Sequence, residues 1–598
     1  MEPFILKKHT ARKTTVMPKD SPAVPEQLFI QECKKPDLDG FQYPLPVRKC
    51  EYTCYAEGEN GVLWLGSTNG VTRFDPGADY EEDKIMYFSA RRHLEEKKVE
   101  KILADGDGAW VLTGEYVTHI EMPVMPCEQK AEILLDETNK YVMRRGMVSQ
   151  KELRERRVLE SAYPYTSSDN DGSFTSAHAA GEVFHYAVYR DKYGENHPKT
   201  VKARADATKA VEACLLLMYI HGREEGFVAR SYHLPDEPVP DDGFFYERKG
   251  DKAYCVKTTA SEKTGRTGEA VDCTHKIPER LAKLYTDLGY TEDGIVYKAD
   301  TSSDEITSHF MQMWVAHDIL GSVDPELDDI IKDACTRTMT HIINCGFELH
   351  EHNGKPTTWA KWSKRYFEND MLGYVDAPLN AAELLSYLKV TMHITGEKGI
   401  WQQTYDSLIK EGYADLTTKH FDRFFQGAVC CDCAPEEDLM YGDNMLATLA
   451  FWMLCSLEKD EALLKQYRDG YRSWAPSLLR EHMPGYDFPY LLSVPDAGID
   501  VERDALWFYR NELSRLCSSV VLKRHDVPMK KKRNKDEDNR PEISALLPQD
   551  ERFITKYDRN PFNYNPESWH PETTVEGCYV FTFAYWLGRY YGIIGEEE

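Results

Sequence analysis

The sequence predicts a mainly α fold: an α/α toroid of helix hairpins carrying a small N-terminal β-rich module. Three observations predict it. From about residue 145 onward, apolar residues recur at helical spacing through the rest of the chain, with polar loops between the segments. A polar motif, Thr166-Ser167-Ser168-Asp169 followed by Thr175, Ser176 and His178, returns as Thr301-Ser302-Ser303-Asp304 followed by Thr307, Ser308 and His309. Each copy runs into a long apolar segment. Residues 51 to 121, by contrast, read as short strands broken by glycine turns.

At 598 residues the chain is too long for one ordinary core, so a large domain with a smaller unit is expected. The boundaries are drawn as an N-terminal extension over 1–45, the β-rich module over 46–144 and the toroid over 145–598. Within the module, Trp64-Leu65-Gly66-Ser67-Thr68-Asn69-Gly70-Val71-Thr72 answers to Trp110-Val111-Leu112-Thr113-Gly114-Glu115-Tyr116-Val117-Thr118. The offset, roughly 46 residues, lies in the range of propeller blades. The first copy resembles the propeller repeat of two-component regulators. Two copies are fewer than the roughly four blades that close a propeller, so they predict a small sheet packed on the main domain, with Trp64 and Trp110 in its core.

The body reads as helices in pairs. Ala207–Gly222 and Ala382–Gly396 carry helical periodicity and end at glycines suited to a left-handed cap. Further helices are expected over 322–343, 400–412, 443–457 and 459–481, with little that alternates like a strand. Polar motifs at several helix starts favour closure around a central pocket over an open solenoid.

Composition removes some functions. A hydrophobic fraction of 41% excludes general disorder. A net charge of −27 opposes binding to nucleic-acid backbones or anionic membranes. The first residues hold no apolar run of secretory length, and no segment approaches the roughly 20 residues that span a bilayer. A cytoplasmic location is expected, and the scattered cysteines agree with it. The densest thiol group, Cys430, Cys431 and Cys433, has no second pair at zinc-ribbon spacing and reads as free thiols. The oligomeric state is not encoded in any of these features.

The candidate chemistry lies at the helix starts. Ser302 to Glu305 fits a capping box, in which serine and glutamate bond the free amides of a starting helix. His309 lies four residues beyond Glu305 on the same face, so the pair could equally orient a general base. Asp169-Asn170-Asp171-Gly172 has the opening of a calcium loop but lacks the closing glutamate, since the twelfth position is Ala180. A calcium ion is thus the one cofactor considered, and a cofactor-free site is the main expectation. Glu437, in Glu436-Glu437-Asp438, stands before another helical run and either complements its dipole or joins the pocket. Trp359, Trp362 and Tyr366 sit in a Gly/Pro-containing segment and offer faces for sugar rings. Arg230, Arg559 and Arg589 could hold a carboxylate or steady the acids.

Helix pairs, acids at helix starts and aromatic loops together resemble the α/α-toroid carbohydrate-active enzymes, both glycoside hydrolases and polysaccharide lyases. The resemblance is architectural and spans roughly residues 145 to 598. It implies a glycoside hydrolase acting on an imported oligosaccharide, with Asp304 or Glu305 in one carboxyl role and Asp169 or Glu437 in the other. The alternative it implies is a lyase, with His309 or Tyr366 as base and Arg230 as neutraliser, and Asp171 among the substrate contacts in either case. A reading from another class is a ligand-binding or regulatory scaffold without catalysis.

Overall fold

The computed structural model describes residues 2–39, 41, 45–46, 50–90, 92–352, 354–420, 441–517, 546–552 and 573–597. It is mainly helical with a β-rich N-terminal part. Glu437, Arg559 and the Cys430–Cys433 group lie outside the described residues.

The two tryptophan repeats each build one four-stranded antiparallel sheet. The first runs through Tyr52–Glu57, Leu63–Ser67, Gly70–Phe74 and Ile85–Phe88 in chain order. The second is Lys101–Asp105, Gly108–Thr113 and Tyr116–Glu121, and its fourth strand is Lys13–Pro18 from the chain's start. The first eighteen residues are therefore woven into the fold instead of forming a separate extension. Phe4–Leu6 pairs in parallel with Ile594–Glu596, so the two ends of the chain meet. Val62, Trp64, Val71, Val99, Val111 and Ile120 bury a common core between the sheets. Trp64 is fully buried as expected; Trp110 is only partly so, lying flat on His119 with its indole N–H donated to Asp105.

Among the described residues, twelve of the longer helices carry the body: α1 Cys127–Glu137, α2 Asp171–Tyr193, α3 Pro198–Leu217, α4 Ser303–Leu320, α5 Pro325–Asn344, α6 Met371–Thr395, α7 Gly399–Lys410, α8 Tyr441–Leu457, α9 Glu461–Leu479, α10 Pro484–Ser493, α11 Val501–Tyr509 and α12 Tyr579–Tyr590. The even-numbered ones are buried on nearly every side, as helices apolar all round must be. The odd-numbered ones keep an exposed face, as α5 does at Asp333 and Thr340. Helix α2 packs on α4 and α12, α6 on α4 and α8, and α10 on α8 and α12. Each odd-numbered helix packs on an even-numbered neighbour, α3 on α2, α5 on α4 and α6, α9 on α8 and α10.

The body also holds strands that periodicity did not suggest. Tyr232–His233, Val296–Lys298, Phe245–Lys249, Lys252–Cys255 and Ala270–Asp272 form a five-stranded antiparallel sheet between α3 and α4. The Trp359 segment is a hairpin, Glu348–His350 with Pro356–Lys361, and not an irregular loop.

Candidate active site

Helix α4 presents two different polar faces at its start. Asp304 and Thr307 look toward α6, while Glu305, Ser308 and His309 look toward α2, as spacings of three and four residues require. The expected capping box does not form: Ser302 is the N-cap residue in extended backbone, and its side chain makes no cap hydrogen bond. Glu305 is instead drawn into the contact with α2, where Gly172 leaves the space it occupies. A Cβ at Gly172 would lie 2.1 Å from Glu305 Oε2. Ser173 and Ser308 hydroxyls meet at 2.9 Å and let the helices approach this closely.

Glu305 is fully buried. Neither carboxyl oxygen has a hydrogen-bond partner of good geometry, although the Ser173 backbone amide faces the group. Burial pushes its pKa well above the usual carboxylate range, against the pull of Arg230 and with the help of Asp304. The expected Glu305–His309 bond is also replaced. His309 Nδ1 faces the backbone oxygen of Glu305 at 2.7 Å, with the carboxyl 4.0 Å away, and Nε2 faces the Cys214 oxygen at 3.2 Å. Burial lowers the imidazole to about 4. A neutral ring enclosed between two carbonyls is a structural histidine, not a general base open to substrate.

The other face meets Glu383 on α6, which sequence reasoning missed. Trp362 donates its indole N–H to Glu383 Oε2 at 2.8 Å, and the Thr307 hydroxyl donates to Oε1 at 3.0 Å. Tyr387, one turn further along α6, lies 2.6 Å from the Thr307 oxygen. Burial raises Glu383 to about 8, despite its two hydrogen bonds and with the repulsion of Asp304 and Asp443. Asp304 itself is partly exposed and has no hydrogen bond or ion pair among the described residues. The α6 stripe continues toward the helix start through Asn380 to Asp376, whose carboxylate accepts from the Tyr366 hydroxyl at 2.8 Å. Burial raises Asp376, against that hydrogen bond.

The five-stranded sheet brings two buried cations beside these acids. Lys298, at the end of strand Val296–Lys298, contacts Asp169 and stands 2.5 Å from Asp242. Arg230 donates to the Asp169 backbone oxygen and lies 3.7 Å from Asp300. Burial would raise Asp169, but the hydrogen bond and charge of Lys298 outweigh it and hold the group below the usual carboxylate range. Asp171 turns the other way, to Arg144 at 3.1 Å and the Ser231 hydroxyl at 2.8 Å. The carboxylates of the calcium-like loop thus face separate cations and do not converge.

The remaining expectations divide. Trp362 is in the site, but edge-on and buried as a donor to Glu383, so its ring is not a sugar platform. Tyr366 is mostly buried, and burial together with Asp376 raises its phenol, which makes it a poor base. Trp359 is 54% exposed. Arg589 belongs to the last turn of α12, with Tyr585, Glu128 and Glu596. It stands ten residues, about 15 Å, from the start of the helix, where Tyr579 stacks on Phe174 of α2. The structure therefore does not bring Arg589 to the acids.

No family model matches this chain, and no curated protein is similar to it at a significant level.

Proposed function

We propose that the chain is a carbohydrate-active enzyme built on an α/α toroid, and that it is a glycoside hydrolase acting on an oligosaccharide. The contacts among the even-numbered helices support the architecture, since they run from α2 through α4, α6, α8, α10 and α12 back to α2. Alternating helices then form an inner and an outer ring.

The observation that carries the chemistry is the buried Glu383 on α6, held by Trp362 and Thr307, with the charge of Asp304 on α4 near enough to act on it. Glycoside cleavage asks for one protonated carboxyl to serve the leaving oxygen and one free carboxylate to activate water or attack the sugar. Glu383, raised to about 8 by burial, holds its proton at neutral pH. Asp304 is partly exposed and has no competing hydrogen bond or ion pair among the described residues. Two carboxyls with environments this different are how one site runs acid and base roles together. Arg230, whose charge reaches Glu305, is the cation that suits a substrate with an acidic or hydroxyl-rich group, while Lys298 is held by Asp169 and Asp242.

The cations also leave room for the lyase reading, because elimination from a uronic acid needs its carboxylate neutralised. A panel of neutral and uronic-acid oligosaccharides separates the readings, with reducing ends and near-ultraviolet absorbance recorded together. Reducing ends alone support the hydrolase. Both signals establish the lyase, and neither signal across the panel would turn attention to the scaffold.

A further inference from the structure

Away from this mouth, the start of α10 and the first turn of α11 face each other with acids inside. Asp487 on α10 and Asp504 on α11 are 1% and 0% exposed. Their ligand atoms and a ring nitrogen of His482 lie within 4.8 Å of one another. His482 Nδ1 is 3.3 Å from Asp504 Oδ1 and the two carboxyls face each other, while Asp487 Oδ1 and Asp504 Oδ2 are sealed from solvent without a hydrogen-bond partner of good geometry among the described residues. His482 also lines a cavity of about 40 Å3, together with Glu481, Leu547, Gln549 and Arg552, which the two aspartates do not reach. That is more than the roughly 15 Å3 a single water needs.

Among the described residues, the charges on the packed elements do not neutralise the pair. Arg552 is engaged by Glu481 at 2.9 Å. Arg510 is engaged by Asp83, Asp550 and Glu551, each at 2.9 Å. Arg503 lines the same cavity and reaches Glu82 at 3.3 Å, and Asp500 adds a further negative charge near Asp504. Buried carboxyls without a cation either share protons or hold a metal.

We infer that His482, Asp487 and Asp504 form a binding site for one divalent first-row cation of the zinc or manganese kind. One imidazole nitrogen and two carboxylate oxygens are a donor set that such borderline ions accept, and the cavity that His482 lines has room for water on its side of the site. His482 is the exposed member, its side chain 38% accessible, and gives the ion its way in. The Asp304–Glu383 pair is not part of this site.

The test uses the full chain, stripped with chelator and titrated with MnCl2 or ZnCl2 by calorimetry, with thermal melting alongside. It is run in a His317→Ala/His393→Ala background, because His317, Asp318 and His393 form a second, exposed group that could take up metal. One equivalent per chain and a metal-dependent rise in Tm are expected. Asp504→Asn should abolish the binding, and His482→Gln should weaken it at least about 10-fold, as loss of a metal ligand or its support does. If Asp504→Asn does not fold, His482→Gln decides. No metal uptake, or full affinity in His482→Gln, would overturn the site and leave a proton-sharing pair.

Discussion

Acids are buried both at the junction of the β-rich part with the helical body and at the mouth of α4 and α6, under opposite rules. At the junction, Arg510 reaches Asp83, Asp550 and Glu551, each at 2.9 Å, and Arg12 contacts Asp550. Arg92 and His93 hold Glu512 at 3.2 and 2.8 Å. Burial would raise Glu512, but the charge of Arg92 and the hydrogen bond with His93 outweigh it and keep it well below the usual range. At the mouth, no lysine or arginine among the described residues lies within salt-bridge distance of Glu305 or Glu383, and burial raises both. Charge matched by charge ties elements together. Charge left unmatched at a mouth costs stability and is the arrangement that tunes a proton for chemistry.

The largest effect expected from this contrast is at Glu383. Glu383→Gln keeps the shape, with its amide oxygen able to accept from Trp362 and its NH2 facing the Thr307 oxygen, while removing the acidic proton, so turnover should fall about 10²- to 10⁴-fold, the usual range for general acid catalysis. The stability change has a definite sign. A carboxyl raised in the fold stabilises it at pH below the unfolded value and loses that contribution as pH rises toward about 8. Wild type should therefore lose stability between about pH 4.5 and 8, and Glu383→Gln should flatten that window. Urea unfolding across the range reads it, and an unchanged slope with turnover retained would return Glu383 to a structural role.

The junction should answer in stability alone. Arg510→Met strands Asp83 and Glu551 in the interior, which typically costs about 3–5 kcal/mol. The first unfolding transition should move accordingly, with kinetic constants unaltered in the protein that remains folded. Loss of activity at constant stability would make the junction a regulatory contact instead, and would revive the scaffold reading for the β-rich part.

Gly172 tests the mouth from the packing side. A methyl there collides with Glu305, and overpacking of this kind costs about 1–3 kcal/mol. Glu305→Ala in the same chain should recover most of the loss, a coupling that a double-mutant cycle measures directly. Additive effects would mean that the carboxyl lies elsewhere.

The contrast also explains what could be read from the sequence. Helical segments with polar starts were legible because their apolar spacing is local, and Asp304 lies where the repeated motif put it. Glu305 was misread as a cap because the Ser302–Glu305 spacing is a local signal, whereas the gap that captures its side chain belongs to Gly172, more than a hundred residues earlier. Glu383 looked like an ordinary helix glutamate in Ala381-Ala382-Glu383-Leu384. A charge flanked by apolar residues on a helix buried all round was the signal available. The five-stranded sheet was hidden by short strands such as Phe245–Lys249, where Glu247, Arg248 and Lys249 mask alternation. Lys13–Pro18 completes a sheet with Tyr116–Glu121, a pairing across about a hundred residues that no local pattern reports.

The smallest expected effect is at Trp359, and it separates two tryptophans three residues apart. Trp362 is buried and fixes Glu383, so its ring belongs to the acid's environment. Trp359 presents its face to solvent on the hairpin strand that leads to Trp362. If that face stacks on a sugar ring, Trp359→Ala removes about 0.5–1.5 kcal/mol of contact, which is about a 2- to 10-fold rise in KM with kcat and Tm held. A fall in kcat would mean that the hairpin positions Glu383 through Trp362, and unchanged kinetics would take Trp359 out of the substrate path.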